Sequence, residues 1–188
     1  MEIKVYVEGP SDKYALQTLL GNLIAEKEQG GIAIKFFPAR KGDSKVALLT
    51  KNIKVAADIL IHIPNTIVVI YPDLYPLNKG LPHKTIAELE HAARKEFEKV
   101  LQSKKAKNIE GLTARFKVFC FKYDMESLVL ACEEGLKRRL GVNRLKRTWK
   151  VPVEDQNNVK PPKKVVEDIF RQNNINSVSY THLRAHET

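Results

Sequence analysis

Apolar Ile3, Val5 and Val7 alternate with Lys4 and Tyr6, the period of two that predicts a strand, and the run stops at Glu8-Gly9-Pro10. Leu16, Leu19, Leu20, Leu23 and Ile24 then recur at helical spacing behind Ser11, read as the helix N-cap. Gln29-Gly30-Gly31 stops that helix, and residues 32–37, IAIKFF, form a second strand closed by Pro38. The connection is long enough for a crossover, so these two strands are expected to be parallel. A basic turn over residues 39–45 leads into a helix with Val46, Leu49, Ile53, Ala57 and Leu60 on its apolar side. After Pro64-Asn65, residues 66–71, TIVVIY, are nearly all apolar and β-branched, as suits a central strand covered on both faces.

From Lys84 onward Ile86, Leu89, Ala93, Phe97 and Val100 trace one face of a helix. The opposite face, Glu88, Glu90, Arg94, Lys95, Glu96, Glu98 and Lys99, is mixed in sign and reads as ordinary solvated surface. Residues 115–121 predict a fourth strand. Phe116 and Phe119 fall on opposite sides of it, which favours core packing over stacking on single-stranded nucleic acid. A helix is expected after Asp124, a natural N-cap. Residues 151–162 read as an extended Pro/Asn linker, and Val165, Val166, Ile169 and Phe170 mark a last short helix. The fold expected is therefore α/β, a mostly parallel sheet of about four strands flanked by helices.

Three segments follow from the same pattern: an α/β core over residues 1–134, a basic helical extension over 135–175, and a non-native tail over 176–188. The tail, NSVSYTHLRAHET, has no periodicity and resembles translated adapter sequence. His182 and His186 are set aside with it, and the genuine C-terminus is expected to be lost.

Composition adds a partner class. The 188 residues are 43% hydrophobic and 29% charged, enough for a folded core. No apolar run reaches the roughly 18 residues of a spanning helix, and no signal-peptide pattern precedes the first strand. Cys120 and Cys132 are too few and wrongly spaced for a zinc site or a disulfide framework. A cytoplasmic location without membrane association is expected. A formal charge of +10 makes a polyanion the expected partner. Lys137, Arg138, Arg139, Arg144, Lys146, Arg147 and Lys150 place seven positive charges in fourteen residues, the strongest footprint for a nucleic-acid backbone, DNA or RNA. Docking to an acidic protein surface would use the same charges.

Candidate chemistry sits at strand ends. Glu8 closes the first strand and Asp73 closes the central one. Two carboxylates at neighbouring strand ends repel unless a cation lies between them, and such hard oxygen donors suit magnesium or manganese. Asp73 could instead start the turn through an Asx interaction. Arg40, Lys41 and Lys45, beside Gly42 at a helix start, are candidates to hold a phosphate, although the Gly-Lys-Ser/Thr order of a P-loop is missing. Glu126, in the first turn of the helix after the fourth strand, is a third ligand candidate, and Asp124 a weaker one.

The strand followed by Glu8-Gly9-Pro10-Ser11-Asp12 and a helix resembles the opening of Toprim domains, the metal-dependent phosphoryl-transfer fold of topoisomerases, primases and overcoming-lysogenization-type nucleases. Those domains carry Asp-x-Asp at the second acidic strand end, whereas this chain has Asp73-Leu74-Tyr75. The order of the Glu-Gly turn, Asp73-Leu74-Tyr75, the helix start at Glu126 and Lys160-Pro161-Pro162 is more similar to a Toprim-related prokaryotic family of uncharacterised function. The resemblance implies a nuclease in which Glu8, Asp73 and Glu126 hold magnesium or manganese and Glu8 and Asp73 act in phosphodiester hydrolysis. It also implies a setting in prokaryotic antiphage defence and a separately encoded ATPase as partner. Tyr75 in place of the second aspartate leaves a second reading open, a catalytically degenerate module that binds nucleic acid or that ATPase.

Overall fold

The computed structural model describes residues 1–39, 44–74, 81, 83–120, 126–146, 149–156 and 160–173. Among the site candidates, Arg40, Lys41 and Arg147 lie outside these described residues, as do Tyr75, Asp124 and the 176–188 tail. The chain divides into two compact units, residues 1–120 and 121–188.

The first unit is α/β. Strands β1 (Glu2–Val7), β2 (Ala33–Pro38), β3 (Thr66–Tyr71) and β4 (Phe116–Val118) form one sheet in the order β2-β1-β3-β4. Every pairing is parallel, with Val5 beside both Phe36 and Val69. Between the strands lie α1 (Pro10–Leu19), α2 (Gly21–Gln29), α3 (Ser44–Leu49), α4 (Lys51–His62), α5 (Ile86–Ser103) and α6 (Ile109–Ala114). The chain winds outward from β1 in one direction to β2, then crosses back to β3 and β4. Right-handed crossovers in opposite directions put their helices on opposite faces of the sheet. One core cluster accordingly joins Ile53, Ala57 and Leu60 of α4, Leu89, Ala93 and Phe97 of α5 and Leu112 of α6 to Val68, Ile70, Phe116 and Val118 of the strands. Leu16 of α1 is buried outside that cluster.

Local chemistry moves several expected boundaries. The N-cap of α1 is Gly9, not Ser11: Pro10 occupies the first helical turn, where its missing N–H costs nothing, and Asp12 Oδ2 accepts from the Gly9 amide at 2.9 Å. The first helix is interrupted at Leu20, so its apolar positions do not form one continuous stripe. Only Leu16 is buried, while Leu19 and Leu23 are exposed. The next helix breaks at Thr50, whose hydroxyl donates to the Val46 carbonyl at 2.6 Å and competes with the helical ladder. Helix α5 is capped by Thr85, whose Oγ1 accepts from the Glu88 amide, and Glu88 in turn accepts from the Lys84 amide just before the cap. The fourth strand is shorter than residues 115–121: Arg115 lies before it and donates to the carbonyls of Leu60, Ile63 and Thr66, tying the end of α4 to the start of β3. Phe116 is fully buried, but Phe119 is exposed.

The second unit holds α7 (Glu126–Ala131), α8 (Glu133–Leu140) and α9 (Pro162–Gln172) around Leu130, Leu136, Leu145, Trp149, Val165, Val166, Ile169 and Phe170. The boundary falls after Cys120 rather than after residue 134, because α7 packs with α8 and α9. Trp149, which the sequence placed among the basic residues, is core. The 151–162 segment is not a plain extended linker either. Val153–Asp155 forms a 3-10 turn, Val153 packs on the core, and buried Gln156 accepts from the Lys150 amide and donates to the Lys160 carbonyl. Among the described residues, no helix is long and apolar enough to cross a membrane.

Candidate functional site

Strand order reverses between β1 and β3, and in open α/β sheets the crevice beyond the carboxyl ends at such a point is where ligands bind. Glu8 follows β1 directly and Asp73 lies just beyond β3. They meet across that point: Glu8 Oε1 accepts from the Asp73 backbone N–H at 3.0 Å. Sixty-five residues of chain separate them, so only the parallel register of β1 on β3 makes this contact.

Leu74, 3% exposed, carries the next backbone carbonyl, and two side chains converge on it. Lys45 Nζ donates to it at 2.8 Å, and His83 Nε2 lies 3.2 Å away. His83 Nδ1 faces the Leu81 carbonyl at 2.6 Å. Lys45 is therefore a buried residue under the turn at Asp73, not an exposed phosphate contact. His83 was not a sequence-level candidate, because an isolated histidine in a loop before a helix has no periodic or motif signal.

Two groups within electrostatic reach of Asp73 have displaced ionisation. Burial pushes the Tyr71 hydroxyl up to about 12, and the Asp73 charge adds to the shift. Burial likewise pushes the Cys120 thiol from 9.0 up to about 11, with Glu90 and Asp73 raising it further and Lys45 opposing them. A thiol held protonated is a poor nucleophile, so Cys120 does not supply one at neutral pH. Because the folded state disfavours the thiolate, this group stabilises the fold below about pH 9 and loses that contribution as pH rises through about 11. Iodoacetamide at pH 8 is expected to alkylate exposed Cys132 first, with Cys120 following only as pH approaches 11; equal rates at pH 8 would contradict this environment.

The remaining candidates lie in the second unit. Glu126 opens α7 in that unit, whereas Glu8 and Asp73 belong to the first. Arg138, Arg139, Arg144, Lys146 and Lys150 are exposed. Lys137 instead pairs with Glu134 at 2.8 Å and Glu133 at 3.4 Å, and its hydrogen bond to Glu134 is the main reason its ammonium is held above the ordinary lysine value. Among the described residues, no group of three or more His, Cys, Asp or Glu side chains is placed to hold a metal ion.

An all-parallel four-stranded sheet flanked by helices, with Glu8 and Asp73 following the two strands at its switch point, defines an α/β protein of the Rossmann-like class. Within that class, the chain belongs to the family described as Domain of unknown function (DUF4276), which it matches over residues 7–185. The match takes in residues 176–185 of the segment that resembles adapter sequence. No curated protein and no solved structure matches the chain.

Proposed function

We propose that the chain is a Toprim-like, magnesium- or manganese-dependent phosphodiesterase acting on nucleic acid. The observation that carries this reading is the 3.0 Å contact from the Asp73 backbone N–H to the Glu8 carboxylate, which brings the two acidic residues' positions together at the strand ends where such folds bind ligands. The donor set suits the ion: magnesium is commonly held by one or two carboxylates, completing its shell with water and substrate phosphate. Glu8 and Asp73 would hold it, and when bound it would polarise the phosphoryl oxygen and stabilise the leaving alkoxide. Glu8, oriented by the Asp73 amide, would accept the proton of the attacking water. Arg138, Arg139, Arg144, Lys146 and Lys150 would neutralise backbone phosphates, which gives affinity without base specificity. The likeness to Toprim-related proteins supports a place in prokaryotic defence beside a separately encoded ATPase.

A second reading is favoured by one specific observation, the tyrosine at position 75 where Toprim domains carry their second aspartate. In that reading the chain binds nucleic acid or the ATPase and cuts nothing. Manganese titration with a parallel cleavage assay separates the two. Wild type is expected to bind manganese saturably and to cut, and Glu8→Gln and Asp73→Asn are each expected to lose binding and about 10²–10⁴-fold in rate. Binding retained in both variants would remove the strand-end acids from the site. A wild type that binds nucleic acid but neither manganese nor cuts leaves the second reading.

A further inference from the structure

We propose that Lys45 and His83 are positioning residues that hold Asp73 against Glu8. Asp73 meets Glu8 through its backbone N–H, so the contact depends on where the chain just beyond β3 is held. The carbonyl of the next residue, Leu74, is held from two sides. Lys45 reaches it from α3 at 2.8 Å, and His83 reaches it from the approach to α5 at 3.2 Å. All three residues are buried, with Lys45 at 6%, Leu74 at 3% and His83 at 4% exposure. Water therefore offers the carbonyl no substitute if either donor is lost, and an ammonium donor is among the stronger partners a carbonyl can have. His83 Nδ1 also faces the Leu81 carbonyl, at 2.6 Å.

Lys45 is a buried lysine. Its stem is covered, and its ammonium donates to a backbone oxygen one residue from an acid of the site. Lys45 and Asp73 are also both within electrostatic reach of the Cys120 thiol, which places the ammonium and the carboxylate in one neighbourhood. The clamp thus serves the acid pair from behind. Neither residue touches a substrate in this account. The inference rests on the reading of Glu8 and Asp73 as the site, but its geometry is testable without a metal or a nucleic acid.

The test is amide hydrogen exchange on the full chain, wild type against Lys45→Met and His83→Phe. The probe is the Asp73 amide, which donates to Glu8; the reference is the Val68 amide in the middle of the sheet, which donates to the Arg115 carbonyl at 3.0 Å. Each variant is expected to speed Asp73 exchange about tenfold or more while Val68 exchange stays as in wild type. A fold-wide weakening would move both amides together and would overturn the positioning role, as would an Asp73 amide unchanged in both variants. If Lys45→Met does not fold, His83→Phe alone decides. Manganese titration of the same variants separates this inference from the one it builds on. Local release of Asp73 in a protein whose wild type binds no manganese would uphold the clamp and overturn the phosphodiesterase.

Discussion

Phe116→Ala is expected to lower the stability of the first unit by about 3–5 kcal/mol, the range for deleting a fully buried phenylalanine ring. Phe116 is the first residue of β4 and has no exposed surface. Its ring stacks on Phe97 of α5, with centroids 4.2 Å apart and planes 6° from parallel. Strand β4 is only three residues long and pairs with β3 alone, so few backbone hydrogen bonds hold it if the ring is gone. The loss should therefore be larger than for Val118→Ala in the same strand, whose side chain removes less volume. Chemical denaturation followed by circular dichroism would measure it, and a change below about 1 kcal/mol would mean that β4 is not anchored by this stack. The consequence reaches the site, because Cys120, which is within electrostatic reach of Asp73, lies two residues past β4.

Replacing Arg138, Arg139 and Arg144 together by glutamine is expected to flatten the salt dependence of duplex DNA binding. The slope of log affinity against log salt should fall by about 2.7, at about 0.9 per phosphate contact removed. Affinity should drop to a similar degree for unrelated sequences, since phosphate contacts position a protein without reading bases. Lys137→Gln is the built-in contrast: its ammonium is already committed to Glu134 and Glu133, so it should change the slope less than Arg138→Gln or Arg144→Gln. Fluorescence anisotropy between 50 and 200 mM salt, the range in which such slopes are commonly read, would test this. An unchanged slope would move the footprint off this segment and favour docking to an acidic protein surface.

The strands and the α/β class were legible because a parallel sheet buried on both faces has a simple signature. Residues 66–71 are continuously apolar, and β1 alternates until a glycine and a proline stop it. The same signature exposed Glu8 and Asp73 as acids placed where apolar runs end. Helix continuity was less legible. The spacing of Leu16, Leu19, Leu20 and Leu23 describes one stripe only if the helix is unbroken, and the break at Leu20 leaves two of them exposed. Trp149 sits among cations in sequence, yet its ring fills the second core.

Sequence alone determined the parts that depend on neighbours along the chain: strand periodicity, the Glu-Gly-Pro stop, the apolar stripes of α5 and α9, and the excess of positive charge. Only the tertiary structure decided which distant groups share a space. It put Glu8 against the Asp73 amide and brought Lys45 and His83 to the Leu74 carbonyl, turning an expected phosphate contact into a buried clamp and an overlooked loop histidine into its partner. The physical reason is that a hydrogen bond between residues tens of positions apart has no period and no local composition. Its existence depends on strand order and register, which are set by the packing of the whole sheet.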